Sequence, residues 1–223
     1  MNMSKTEISL PPARLTIATS AAVLFLLAIL HVLSPEFDPS WRMVSEYANG
    51  QYGWVLSLMF VSWAVSSWVL AYTIWPEVNT TAGKIGLIFL IAAGVGEAMG
   101  GLFNINHPLH GLASLVGIGS LPIAAMLIGL SLSRSEAWSF ARKTLLWTAN
   151  LTWISVLLMA AAFIIMIVTF TRSGAPMPAE PPTTLPPGVI AFVGWANRFL
   201  IIVYCLWGMN VVWHVIKIRR QKS

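Results

Sequence analysis

Glu97 and Arg198 are the charged side chains that fall well inside long apolar stretches of this chain; almost all of the others lie in the connections. Ionisable groups inside lipid are costly and mark ion pairs, proton relays or binding sites. Glu97 lies eight residues, about 12 Å, before its stretch ends near Ile105, and Arg198 lies nine residues, about 13 Å, after its own begins near Val189. The matching depths predict a mutual ion pair, because an unpaired arginine at the centre of a membrane helix costs roughly 2.5 to 3.5 kcal/mol even on lenient insertion scales. Such a pair is either a static staple or a site where Glu97 acts as a titratable base for a ligand, proton or ion.

The neighbours of Glu97 support a protein-facing position. Gly94, Glu97, Gly100, Gly101 and Asn104 fall close to one helical face, and Gly96-x-x-x-Gly100 fits the spacing that lets a second helix approach closely. The expected pocket is bounded by Glu97, Asn104, His110, Asn197 and Arg198, with Ser45 and Glu46 on a covering segment.

Histidines offer a different chemistry. His31, His107 and His110 lie near one membrane plane, where three imidazoles could hold zinc with an open fourth position and Asp38, Ser45 or Glu46 could assist a hydrolytic water. Their spacing matches no zinc motif, and Glu46 has a competing partner in Arg42 four residues before it. A haem between His31 and His110 is the weaker form of the same idea. No lysine lies within a span, which argues against a retinal Schiff base. Cys205 is the single cysteine, so an intramolecular disulfide and a cysteine-rich metal site are both excluded.

Positioning these groups requires lipid as solvent. Of 223 residues 57% are hydrophobic and only 9% are Asp, Glu, Lys or Arg, with a mean hydropathy of +0.76; soluble domains carry about 25% charge. The net charge of +5 is scattered through short loops and a tail without a basic face, which argues against nucleic acid as a partner. Six apolar runs are long enough to cross a bilayer as helices, at about 15–33, 54–75, 85–105, 110–132, 145–170 and 189–214. The first resembles a secretory signal in its basic flank, but its apolar core is too long and Ser34-Pro35-Glu36 provides no cleavage site, so it reads as a retained span.

With the N-terminus cytoplasmic, the inner side receives ten lysines and arginines and the outer side receives only Arg42 and Arg172. This positive-inside bias predicts both termini in the cytoplasm. Trp41, Trp54 and Trp195 mark the outer interface, and Trp75, Trp138, Trp147 and Trp213 the inner one, while Trp63, Trp68, Trp153 and Trp207 lie deeper and read as packing. Asn79-Thr80-Thr81, a formal glycosylation triplet, falls on the inner side.

Two outer segments have structure of their own. Asp38 as N-cap, Pro39 at the first helical position, an apolar stripe of Trp41, Val44 and Ala48, and a stop at Asn49-Gly50 predict a short amphipathic helix on the outer surface. The outer loop 171–188 carries Pro176, Pro178, Pro181, Pro182, Pro186 and Pro187, and reads as an extended strap. There is no internal repeat, and Pro122 in the fourth span has no counterpart in another.

Three stretches carry a family likeness: Leu33 to Asp38 with Val44-Ser-Glu-Tyr-Ala-Asn-Gly50 and Gly53-Trp54; Gly101-Leu-Phe-Asn-Ile-Asn106 with His110-Gly-Leu-Ala and Leu121-Pro122; and Gly194-Trp-Ala-Asn-Arg198. With six spans in the same order, the chain resembles a bacterial and archaeal membrane family known as domain of unknown function 998. The resemblance implies that Ser45, Glu46, His110 and Arg198 occupy the family's characteristic polar positions. Where the family shows Pro-Thr-Asp after the phenylalanine, this chain has Asn104-Ile105-Asn106 and lacks that carboxylate. Glu97 is not part of the family pattern.

The expectation is thus an all-α, polytopic six-helix transmembrane bundle of one domain in a bacterial inner membrane, with an outward-facing pocket. Binding, sensing or helping transport a small molecule or lipid headgroup is the leading role; a membrane-embedded, metal-dependent hydrolase of lipid or amide bonds is the alternative.

Overall fold

A backbone in hydrocarbon must satisfy its own hydrogen bonds, which leaves helices as the solution for apolar runs of this length without strand alternation. The computed structural model describes residues 10–176 and 184–222. Six long helices account for most of it: α1 Leu10–Leu33, α2 Gly53–Ile74, α3 Thr81–Leu102, α4 His110–Ser133, α5 Arg142–Arg172 and α6 Val193–Lys222. Each contains a stretch long and apolar enough to cross a bilayer. Among the described residues there is no strand.

Each helix packs against its sequence neighbours, and α6 closes the ring on α1 while also touching α2. The result is an up-and-down bundle in which α6 is the most buried span and α5 the least. Large apolar side chains such as Phe25, Tyr72, Ile88 and Leu157 remain exposed around the outside, as lipid contact requires.

Glycine decides the closest crossing, that of α3 on α4. A Cβ at Gly96 would overlap the backbone of Gly117, and one at Gly86 would come within 3.0 Å of the Ile128 side chain. Gly100, the partner of Gly96 in the small-residue pattern, faces the Phe60 ring of α2 instead. The pattern therefore serves two neighbours. α3 begins cleanly, with the Thr80 hydroxyl accepting from Gly83 N at 3.0 Å as an N-cap and donating to Ser131 Oγ at 2.8 Å. α4 continues through Pro122.

The segment between α1 and α2 differs from its expected form. Asp38 Oδ1 accepts from Ser40 N at 2.9 Å and Ser40 Oγ at 2.7 Å, closing a local turn rather than starting a helix. Those two bonds, the backbone one foremost, hold the Asp38 carboxyl below its ordinary value. The helical element begins later, as a 3₁₀ segment Val44–Asn49, where Glu46 Oε1 accepts from Met43 N at 2.8 Å and caps the turn. Glu46 Oε2 meets Arg42 Nη1 at 2.6 Å, the expected i, i+4 pair.

A second 3₁₀ segment, Glu136–Ala141, leads into α5. It turns Trp138 inward, so this tryptophan is fully buried against the bundle with Nε1 donating to Glu77 Oε2 at 3.4 Å. In the strap 171–188, Pro178, Pro181 and Pro182 lie outside the described residues.

Candidate functional site

The two intramembrane charges do not meet. Arg198, 3% exposed, sits one turn into α6 and spends its guanidinium on four protein acceptors. Nε donates to His31 Nε2 at 2.7 Å, Nη1 to Arg42 O at 2.7 Å and Gly194 O at 3.0 Å, and Nη2 to Tyr47 Oη at 3.0 Å. His31 is suited to this because its Nδ1 faces Leu27 O at 2.7 Å; that carbonyl can only accept, so Nδ1 carries the proton and Nε2 is the acceptor. A planar fork with five donors can serve several acceptors at once, which a lysine cannot.

The same turn of α6 grips the α1–α2 segment in two further ways. Gly194 has no side chain to obstruct Pro39 O, Arg42 O and Trp41 N, all within 2.9 Å of where a Cβ would stand, and Gly194 N donates to Ser40 O at 3.0 Å. Asn197 Oδ1 accepts from Val44 N at 2.9 Å. Gly194, Asn197 and Arg198 thus act as one clamp on residues 40–47.

Glu97 lies elsewhere. It is 4% exposed, and its Oε2 accepts from Ser67 Oγ of α2 at 2.8 Å, while Oε1 is buried without a hydrogen-bond partner. Beside it, α2, α3, α4 and α6 leave a partly open cavity with about 580 Å³ of empty volume, its mouth included. Phe60, Trp63, Ile118, Leu200 and Ile201 supply apolar walls, with Ser45, Glu97, His110, Ser114, Asn197 and Tyr204 as polar points. The clamped segment contributes Met43, Val44 and Ser45 to the same lining.

The residues expected at a site therefore divide. Glu97, His110, Asn197 and Ser45 line one cavity, whereas Arg198, Asn104 and Glu46 do not. Arg198 turns instead to the backbone carbonyls of Arg42 and Gly194, and an apolar groove on the α1–α6 side is what its edge touches. Asn104 closes its own turn, with Oδ1 accepting from Asn106 N at 3.1 Å, and Asn106 Nδ2 donates to Asn49 Oδ1 at 3.0 Å. Glu46 is held by Arg42 and Met43 N.

The three histidines do not assemble a metal site either. His31 has both ring nitrogens engaged, His107 Nδ1 accepts from Leu109 N at 3.2 Å with its ring stacked 4.4 Å from Phe103, and His110 Nδ1 donates to Phe103 O at 3.0 Å. Among the described residues no group of three His, Cys, Asp or Glu side chains could hold a metal ion. His31 is thereby lost to the proposed zinc set and to a haem, whereas His107 and His110 each engage Nδ1 alone.

Three contributors escaped the sequence reading. Ser67 holds Glu97 and was one of two adjacent serines, Ser66 and Ser67, in the middle of an apolar span; that polar doublet was the available signal. Tyr47 receives Arg198, and Tyr204 donates to Ile118 O at 2.8 Å at the cavity wall. Nothing in the sequence distinguishes these tyrosines from ordinary packing.

No curated protein and no solved structure matches the chain. A family model described as protein of unknown function (DUF998) matches residues 17–214. That span takes in the Gly194 to Arg198 turn, the segment it clamps and the Glu97 cavity, and with five-sixths or more of the sequence covered the chain belongs to the DUF998 family.

Proposed function

We propose that this protein is a non-enzymatic binding component of a bacterial inner membrane, which senses or helps transport a small molecule or lipid headgroup through the cavity beside Glu97. One observation carries this reading: Glu97 lines the cavity and keeps one buried carboxyl oxygen, Oε1, without a protein partner. A buried polar atom left unsatisfied costs on the order of 1–3 kcal/mol, so a ligand that donates to it gains what the fold leaves unmet. The mostly apolar lining with a few polar points is the usual make-up of a ligand pocket. Ser45, carried on the clamped segment, forms part of the cover.

Sidedness is part of the same proposal. The excess of lysine and arginine on the terminal side supports cytoplasmic termini and a cavity mouth facing outward; a reporter fused after Ser223 that is active only in the cytoplasm checks this. For the binding role, native mass spectrometry of the full chain should detect a co-purified mass that is lost in Glu97→Ala. A Glu97→Ala protein that retains the same mass, or wild-type protein that never carries or acquires one, defeats the reading.

A further inference from the structure

The cavity's chemistry narrows what it can hold, and the narrowing rests on the binding role just proposed. No lysine or arginine lines it, and among the described residues Glu97 forms no ion pair. Its polar points include the Ser45 and Ser114 hydroxyls, which donate or accept, and two groups that offer acceptors. Glu97 Oε1 has no hydrogen-bond partner, and His110, whose Nδ1–H is committed to Phe103 O, has an acceptor lone pair on Nε2. Asn197, the side-chain amide in the lining, already accepts from Val44 N and donates to Met159 Sδ at 3.5 Å. An anion entering here would find no countercharge in the lining, and a neutral apolar guest would leave the Glu97 carboxyl as it is.

The walls point the same way. Phe60 and Trp63 stack with ring centroids 6.3 Å apart, and Trp63 meets Tyr204 edge-on at 6.2 Å, so three aromatic rings border the space next to the carboxylate. Aromatic faces attract alkylammonium groups through the ring quadrupole, most strongly where water is excluded. We propose that the cavity is an alkylammonium site: one alkylammonium group, carried by a lipid headgroup or by a free small molecule, sits beside the Glu97 carboxyl with Phe60, Trp63 and Tyr204 around its carbon skeleton.

Calorimetry on the full chain in detergent tests this with choline and ethanolamine as cations and 3,3-dimethylbutan-1-ol as the uncharged isostere of choline. A cation should bind about tenfold or more tightly than the isostere, Glu97→Gln should erase that preference, and Trp63→Leu should weaken the cation several-fold with the carboxylate intact. In the lipid arm, the protein is taken from nanodiscs containing phosphatidylethanolamine or phosphatidylglycerol, and retained lipid is weighed by native mass spectrometry. Selective retention of phosphatidylethanolamine by wild type but not Glu97→Gln assigns the amine to a headgroup; free-amine binding without it assigns a soluble ligand. The alkylammonium assignment falls, and the broader binding role survives, if the isostere binds as well as choline, if Glu97→Gln keeps the preference, or if Trp63→Leu leaves cation affinity unchanged. Absence of binding by every probe and lipid overturns both.

Discussion

Arg198 and Glu97 are buried to nearly the same extent and were expected to answer each other, yet the protein treats them in opposite ways. The guanidinium is met by His31, Arg42 O, Gly194 O and Tyr47, all from the protein itself. The carboxylate is met on one oxygen by Ser67 and on the other by nothing. A buried charge whose hydrogen-bonding capacity is consumed by backbone and side chains ties elements together; one left half-satisfied beside a cavity is available to a visitor. Membrane burial alone does not separate the two cases. Counting donors against acceptors does.

The contrast breaks most visibly at Arg198. Arg198→Leu strands the Arg42 carbonyl, the Tyr47 hydroxyl and His31 in a place water reaches poorly, and should destabilise the fold by about 3 kcal/mol or more. The expected readout is a large fall in folded yield and in the thermal midpoint in detergent. Arg198→Lys should recover little of it, since an ammonium cannot span four acceptors in one plane. A fully stable Arg198→Lys protein would show that charge, and not the fork, is what the clamp needs.

Removing a single acceptor sharpens the same point at smaller scale. Tyr47→Phe keeps the ring that packs edge-on to Phe37 at 5.3 Å and deletes only the oxygen that receives Arg198 Nη2. The cost should be about 1–2 kcal/mol, measured as a shift in the denaturant midpoint. Because Tyr47 and Glu97 have no hydrogen-bond partner in common, Tyr47→Phe and Glu97→Gln should add when combined. Strong coupling between them would mean that the clamp and the cavity are one network.

Glu97→Gln itself should alter stability by no more than about 1 kcal/mol, in either direction, because the amide oxygen still accepts from Ser67 and no buried charge is left behind. Its effect belongs in ligand binding instead. A loss as large as that of Arg198→Leu would place Glu97 among the structural groups and erase the distinction drawn between them.

The six spans, their order and the small-residue crossing of α3 were legible because apolar length and spacing are one-dimensional signals. Helix ends moved by a few residues where caps and turns decide, as at Asp38, whose carboxylate closes a turn with Ser40 and delays the helical segment to Val44. Glu97 and Arg198 each stand five positions from a helix end, Leu102 and Val193, rather than the expected eight and nine, and their direction was not legible. Rise per residue places two side chains at one level of a bundle and is silent about their azimuth, which is set by which helices adjoin. The partners of Arg198 come from residues 31, 42, 47 and 194, and backbone carbonyls among them carry no sequence signature. The three histidines were misread for a related reason: proximity to one plane says nothing about local bonds to Leu27 O, Phe103 O and Leu109 N that absorb ring nitrogens.

The smallest effect lies at the edge of the clamp, in the turn that Asp38 closes with Ser40. Asp38 is exposed, and its carboxyl is held below the ordinary value first by the Ser40 backbone and hydroxyl bonds, with the Arg198 charge as the least of the causes. A folded-state value depressed below the unfolded one contributes stability that is complete above the unfolded value, about 3.9, and is lost as pH falls through the folded one. Thermal midpoints taken from about pH 6 down to about pH 2.5 should therefore show a shallow acid-side decline that Asp38→Asn lessens, with no difference between the two proteins in its slope near neutrality. Ser40→Ala should lessen it as well, because the hydroxyl bond goes while the backbone bond stays. A decline of the same slope in wild type and both variants would place the acid sensitivity in other carboxyls, and the turn at Asp38 would then serve the clamp by shape alone.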